Sequence, residues 1–439
     1  MLLSSAKAEI IDTSEKLIIP EGVTYTLSGS HTYTEYVEIR GTLKVYPYNG
    51  DEESGALYLI TPDLIIEAGG KLMAEGVGYP ARTGSGAGAS DGYYGRWAGG
   101  GGYGGRGGDG RSVSGGNVYG SIEQPADLGS GGGTGCQSTG GTGGGRLKIT
   151  VGGTLVNNGE INADGIRPLT SGSRGERGGG GSGGSIWIET GEITGAGDIT
   201  AVGGDTSVGG AGGGGRIALY YTTNSFTGQV SANGGNGYSN REGGAGTIFL
   251  KDGATGSSKL LIDNAGRNGQ TTPLVDGEYG FDDVAVSNYG KLVVEKDTVT
   301  AANLVITSTG YVTNIGVLTV PGELTLNYGG RLTYDSGKFS NGDMVIGKGG
   351  TYNLNSRFVT PGLKIEDGGV VTHTGGNNGF ELVVDSDLII EAGGKLTAEG
   401  VGYPARTGSG AGASDGYYGR WAGGGGYGGR GGDGRSVSG

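Results

Sequence analysis

The chain has 439 residues, 108 of them glycine, with 34% hydrophobic residues and a formal charge of −13 from 44 acids and 31 bases. Glycine at about a quarter of the chain, against a usual ~7%, argues against a large isotropic core. The acidic balance argues against nucleic-acid or anionic-membrane binding, which need dense positive charge. The 24 tyrosines argue against simple disorder.

Cys136 is the only cysteine, so an internal disulfide and a cysteine zinc cluster are both excluded. The opening residues 1–3 are too short for a signal peptide, and no apolar run approaches the ~20 residues of a spanning helix. Secretion is still expected, on the grounds given below, with the export signal lying outside this segment.

In chain order, residues 1–76 read as short strands with an inward apolar row, at 17–23, 37–43 and 64–72. Residues 77–143 form a long glycine-rich excursion. Residues 144–250 carry strand anchors that each follow a glycine run: Arg146-Leu-Lys-Ile149, Ser185-Ile-Trp-Ile188, Arg216-Ile-Ala-Leu219 and Thr247-Ile-Phe-Leu250. Second anchors end in alanine, at Ala163, Ala201 and Ala232, with glycine two places on. Shorter glycine excursions fall at 166–184, 204–215 and 235–246.

From 251 to 396 the pattern is regular. Leu324-Thr-Leu326-Asn-Tyr-Gly-Gly330-Arg-Leu332 is typical, and it recurs at 284–292, 304–312, 344–352, 363–371 and 388–396. The closing glycines Gly290, Gly310, Gly330, Gly350, Gly369 and Gly394 are 20, 20, 20, 19 and 25 residues apart. Alternation of period two marks strands with one buried face. Residues 397–439 begin a second copy of the glycine-rich excursion. The segments 63–115 and 387–439 differ only at Met73 against Thr397, an offset of 324 residues.

A 20-residue period of short strands predicts a single-stranded parallel β-helix, right-handed by the usual chirality of parallel crossovers. Roughly thirteen coils would give a rod of about 60 Å. Within 99–110, glycine takes 9 of 12 places, and Tyr103, Arg106 and Asp109 recur at intervals of three. That spacing suits a polyproline II-type (polyglycine II-like) helix packed through glycine faces. The excursions would then form a lateral layer, with Tyr79, Tyr93, Tyr94, Arg96, Trp97, Tyr103 and Arg106 as an interaction surface for glycans or a neighbouring fibre.

No set of residues points to catalysis. His31 and His373 read as solvent-facing turn histidines, and no GxSxG elbow marks a nucleophile. The acid groups are Asp51-Glu52-Glu53 and Asp276, Glu278, Asp282 and Asp283. The second is a weak candidate for a structural calcium ion, though it lacks the EF-hand order. No other cofactor is expected. Thr298, Thr300, Thr307, Thr309 and Thr313 do not repeat at the 20-residue period, as an ice-binding array would require.

The LxIxxGGxL turns, the GGG[R/S]IxI runs and the long tandem unit resemble the glycine-rich β-helical regions of large bacterial or archaeal cell-surface and adhesin-like proteins. The glycine pattern is also similar to that of phage tail adhesins and some antifreeze proteins. The resemblance implies a non-enzymatic surface protein. The leading expectation is a structural component of an extracellular fibre, filament or matrix, self-associating head-to-tail or laterally. An adhesin that binds carbohydrate or another cell is the alternative, and a polysaccharide-active enzyme is a more distant one.

Overall fold

The computed structural model describes the chain apart from residues 1–8, 52, 92–96, 171–176, 275–276, 296–297, 335–337, 355–356, 374–380, 404, 406, 414–423, 426, 428–430 and 432–439. The described residues form strands, turns and extended segments, with no helix among them.

In the first half, strands stack in parallel with their inward residues in line. Leu17 pairs with Val37, Val37 with Leu64, and Leu64 with Leu155 of the long strand Arg146–Asn157. That strand pairs onward through Ser185–Gly195 and Arg216–Phe226 to Thr247–Asp252, placing Leu147, Ile186, Ile217 and Ile248 in one row. A six-stranded parallel sheet faces it, with Leu43, Leu72, Ile161 and Ile199 in register. The two rows meet in one buried cluster.

The glycine excursions leave and re-enter this body at a recurring clamp. Gly145, Gly184, Gly215 and Gly246 each donate a backbone hydrogen bond of 2.7 Å to Ala74, Ala163, Ala201 and Ala232 in turn. The alanine that ends each short strand is thus tied to the glycine that opens the next long one.

At 252–258 the chain turns back on itself. The Asp252 carboxylate accepts from the backbone N–H groups of Ala254 (2.8 Å) and Thr255 (3.2 Å). Gly256 takes φ +76°, which a side chain would resist. Thr247–Asp252 and Ser258–Asp263 then pair antiparallel, with Ile248 opposite Leu261 and Phe249 opposite Leu260. Beyond this hairpin the strands run parallel again. Leu260, Val284, Leu304, Leu324, Met344, Leu363 and Leu388 make one row. A seven-stranded sheet carries the facing row of Leu292, Val312, Leu332, Tyr352, Val371 and Leu396.

The hairpin also changes which face of the sheet is buried. Ile217 and Ile248 belong to the first core, whereas their strand neighbours Ala218 and Phe249 belong to the second, together with Leu260 and Ile262. Neighbours along a strand point to opposite faces, so the two cores lie on opposite sides of the shared sheet.

The expected single-stranded parallel β-helix is therefore incorrect. The strands gather into one mixed 19-stranded sheet, a six-stranded sheet, a seven-stranded sheet and two of two strands. Antiparallel pairs also occur between Ile11–Asp12 and Lys16–Ile19, and between Ser138–Thr139 and Leu169–Thr170. The physical reason is local. A tight turn joins antiparallel strands directly, whereas parallel strands need a long crossover, and 252–258 supplies such a turn.

The closing glycines of the second-half turns answer to close approach rather than to φ. A Cβ on Gly290 would stand 2.3 Å from the carbonyl oxygen of Ile262, and one on Gly330 2.1 Å from that of Ile306. The left-handed conformation falls one residue earlier, at Tyr289, Thr309, Gly329, Gly349, Gly368 and Gly393.

Candidate interaction surface

The excursions form a layer held by backbone hydrogen bonds that step by three residues. Ala98 and Gly101 donate to Arg177 and Gly180, and Gly180 and Gly183 donate to Gly210 and Gly213. Gly210 and Gly213 donate back to Ala98 and Gly101, all at 2.8–3.0 Å. Three segments from different excursions so close a ring without using any side chain. On another flank, Gly99 and Gly102 donate to Ala89 and Gly86, again three residues apart and running antiparallel. There is no room for side chains between these segments: a Cβ on Gly100 would meet the carbonyl oxygen of Ala211 at 1.9 Å.

Of the residues expected to form one binding surface, the four that are described, Tyr79, Trp97, Tyr103 and Arg106, have separate surroundings. Tyr103 is fully buried, and its hydroxyl hydrogen-bonds with Ser185 Oγ at 2.6 Å. Its ring lies 4.7 Å from that of Tyr119, and burial pushes its pKa up to about 12. It anchors the layer to the sheet and offers nothing to a ligand. Tyr79 is half-buried, with its ring edge-on to Tyr48 at 5.0 Å. Trp97 is also half-buried, with the guanidinium groups of Arg241 at 4.6 Å and Arg111 at 5.7 Å. Arg106 is exposed and donates to Asn117 Oδ1 at 3.0 Å. Tyr93, Tyr94 and Arg96 lie outside the described residues.

Glu278, Asp282 and Asp283 do not converge on a calcium site. Asp282 accepts from the backbone N–H and hydroxyl of Ser258, which hold its carboxyl below the usual range. Asp283 accepts instead from Asn303 on the strand to the other side. Glu278 is exposed, and Asp276 lies outside the described residues. Among the described residues no group of three or more His, Cys, Asp and Glu side chains could hold a metal ion. The histidines also differ from expectation, since His31 is half-buried with Nε2 3.0 Å from the Ser28 carbonyl oxygen and His373 is buried.

Two features were not anticipated. The first is Arg216, 1% exposed, which donates from Nε to the Tyr119 carbonyl (2.9 Å) and from Nη1 to Thr247 Oγ1 (3.1 Å). Its guanidinium lies 5.5 Å from the Tyr103 ring, and burial lowers its pKa. Arg216 thereby fastens the segment 119–128 over the sheet. Arg146 Nη1 donates to the Ala126 carbonyl at 2.5 Å, and the Tyr220 hydroxyl donates to that of Glu123 at 2.9 Å, adding two more ties.

The second is a row of rings crossing the strands beneath that segment. Trp187, Tyr220, Phe249 and Phe281 follow one another at 6.5, 5.7 and 6.1 Å, and Tyr279 stacks on Phe281 at 6.1 Å. At its end lies an open groove of about 460 Å³, lined by Ser121, Ile122, Glu123, Gln124, Glu278 and Tyr279. The sequence signal for the row was the aromatic residue between two aliphatics in Ile186-Trp-Ile188 and Ile248-Phe-Leu250.

No helix among the described residues is long and apolar enough to cross a membrane. The chain matches no family model, and neither a curated protein nor a solved structure shows significant similarity to it.

Proposed function

We propose that this chain is a structural unit of an extracellular fibre or surface matrix, self-associating and not enzymatic. The observation that carries this reading is the ring of backbone hydrogen bonds joining Ala98 and Gly101, Gly180 and Gly183, and Gly210 and Gly213. A layer packed through glycine backbones leaves no space for a ligand among its segments, and it ties parts of the chain more than a hundred residues apart. Such a layer braces the strand body laterally, as a stiff element requires. The charge of −13 favours solubility and disfavours nucleic acid as a partner. Electron microscopy of native material tests the reading. Uniform filaments with density repeating once per 324-residue unit are expected. Particles that stay dispersed at high concentration would overturn it.

One observation favours a second reading, the carbohydrate-binding adhesin. The groove beside Tyr279 offers an aromatic face together with Ser121, Glu123, Gln124 and Glu278, a mixture of ring and hydrogen-bonding groups that suits a sugar. Glycan-array binding by the full chain, lost in Tyr279→Ala, would support it. Release of shortened sugars would instead point to an enzyme.

A further inference from the structure

The ten residues DLIIEAGGKL occur twice, at 63–72 and 387–396, in opposite states of burial. Leu64, Ile66 and Leu72 are each 0% exposed, whereas Leu388, Ile390 and Leu396 are 44%, 46% and 39% exposed. Their sequence cannot cause the difference, because it is the same. Nor can one flank: Leu64 pairs with Val37 as Leu388 pairs with Leu363, and Leu72 pairs with Leu43 as Leu396 pairs with Val371.

The difference lies on the other flank. In the first copy, Leu155 covers Leu64, Ile161 covers Leu72, and Leu147 covers Leu57 of the preceding strand Ala56–Thr61. One continuous stretch, 146–162, closes all three strands. Their counterparts are Glu381–Val384, Leu388–Ile390 and Lys395–Leu396, and each has a partner on one side only among the described residues. The polar contacts of the closed edge are specific too. Lys71 pairs with Glu160 at 2.7 Å, and the Asp63 carboxylate accepts from the Thr154 N–H at 2.9 Å. Lys395 and Asp387 repeat Lys71 and Asp63 in the second copy.

We propose that this edge is a docking site for a strand pair with the sequence of residues 146–162, supplied by a second unit of the same repeat joined in tandem. Leu155 and Ile161 of the incoming unit would cover Leu388 and Leu396, and its Glu160 would meet Lys395. The exposed apolar row is then the interface through which one 324-residue unit stacks on the next. The proposal rests on reading the chain as a repeating structural unit, but it can stand or fall separately from filament formation.

The test extends the full chain after Gly439 with residues 116–250, which continues the repeat in register, and follows amide exchange. Exchange at 388–396 is expected to slow by at least about 100-fold, to the level of 64–72 in the same molecule. Leu155→Asp with Ile161→Asp, made in the appended segment alone, is expected to abolish that gain. Unchanged exchange at 388–396 with 64–72 still protected would overturn the proposal. So would a gain that survives both aspartates. Protection gained without filaments in the microscope would instead fault the fibre reading and leave the docking edge intact.

Discussion

Phe249 and Leu260 stand opposite each other in the antiparallel pair at the centre of the chain, and both are buried, at 2% and 0% exposure. Their strand neighbours Ile248 and Leu261 pack on the other face, against the first core. This pair is where the sheet passes from burying one side to burying the other. Phe249 also joins the ring row, 5.7 Å from Tyr220 and 6.1 Å from Phe281.

Phe249→Ala is therefore expected to cost about 3–5 kcal/mol, the usual loss for a large aromatic removed from a packed core. The loss should fall on the second core, since the side chain faces that side alone. Denaturant unfolding followed by amide exchange checks this. Residues 260–306 should lose protection while 17–66 keep theirs. Equal loss in both halves would mean that the two cores unfold as one.

The sequence made the strands legible but not this reversal. Period-two alternation locates a strand and its buried face, and Leu324-Thr-Leu326 and its relatives do form the strands they predict. Alternation carries no information on strand direction. A usable signal was present at the hairpin, where Ile248-Phe-Leu250 and Leu260-Leu-Ile262 are unbroken apolar runs. Such runs suit strands buried on both faces, and a turn with Asp252, Gly253 and Gly256 joins them. The binding surface was less legible, because regular spacing of Tyr103 and Arg106 does not say which way each side chain points. Tyr103 turns into the sheet and Arg106 turns out.

Asp164 gives the first half a pH dependence of predictable sign. Burial raises its pKa to about 6, against the pull of hydrogen bonds from the Val202 N–H (2.6 Å) and the Asn162 side-chain amide (3.1 Å). In the unfolded chain the group releases its proton near ~4. Between about pH 4 and 6 the folded state therefore holds more protons, and stability falls as pH rises, levelling off above about 6. The fall should be roughly 2–3 kcal/mol. Urea unfolding at pH 4.5 and 7.5 should show it for the native chain, and Asp164→Asn should remove that part of the slope. An unchanged slope in the variant would assign the dependence elsewhere.

Thr309 holds φ +65°, a conformation that a β-branched residue adopts only under strain. The equivalent position in later turns is glycine, at Gly329, Gly349, Gly368 and Gly393, each also at positive φ. Thr309→Gly relieves about 2 kcal/mol of left-handed strain, and it costs about 1 kcal/mol in extra freedom of the unfolded chain. The net expectation is a stabilisation of about 1 kcal/mol, read as a higher denaturation midpoint at unchanged slope. Destabilisation would show that the Thr309 side chain makes a contact worth more than the strain.

The glycine layer makes the sharpest prediction, because two glycine-to-alanine changes should behave in opposite ways. At Gly100 the new methyl would meet the Ala211 carbonyl oxygen at 1.9 Å, and both sides of that contact are backbone held by further hydrogen bonds. Neither can move without opening the ring through Ala98, Gly180 and Gly210, so Gly100→Ala should cost upwards of ~3 kcal/mol. At Gly280, an exposed position on the strand Glu278–Ser287, nothing lies within 4 Å and φ is not positive. Gly280→Ala should change stability by less than ~1 kcal/mol, and toward greater stability if at all. Amide exchange at Ala98, Gly180 and Gly213 distinguishes a merely weaker protein from an opened layer. In Gly100→Ala these amides should exchange together and much faster, while the Leu147, Ile186 and Ile217 row stays protected. A Gly100→Ala chain with native exchange at all three sites would mean that the layer tolerates a side chain and is not packed through its glycines.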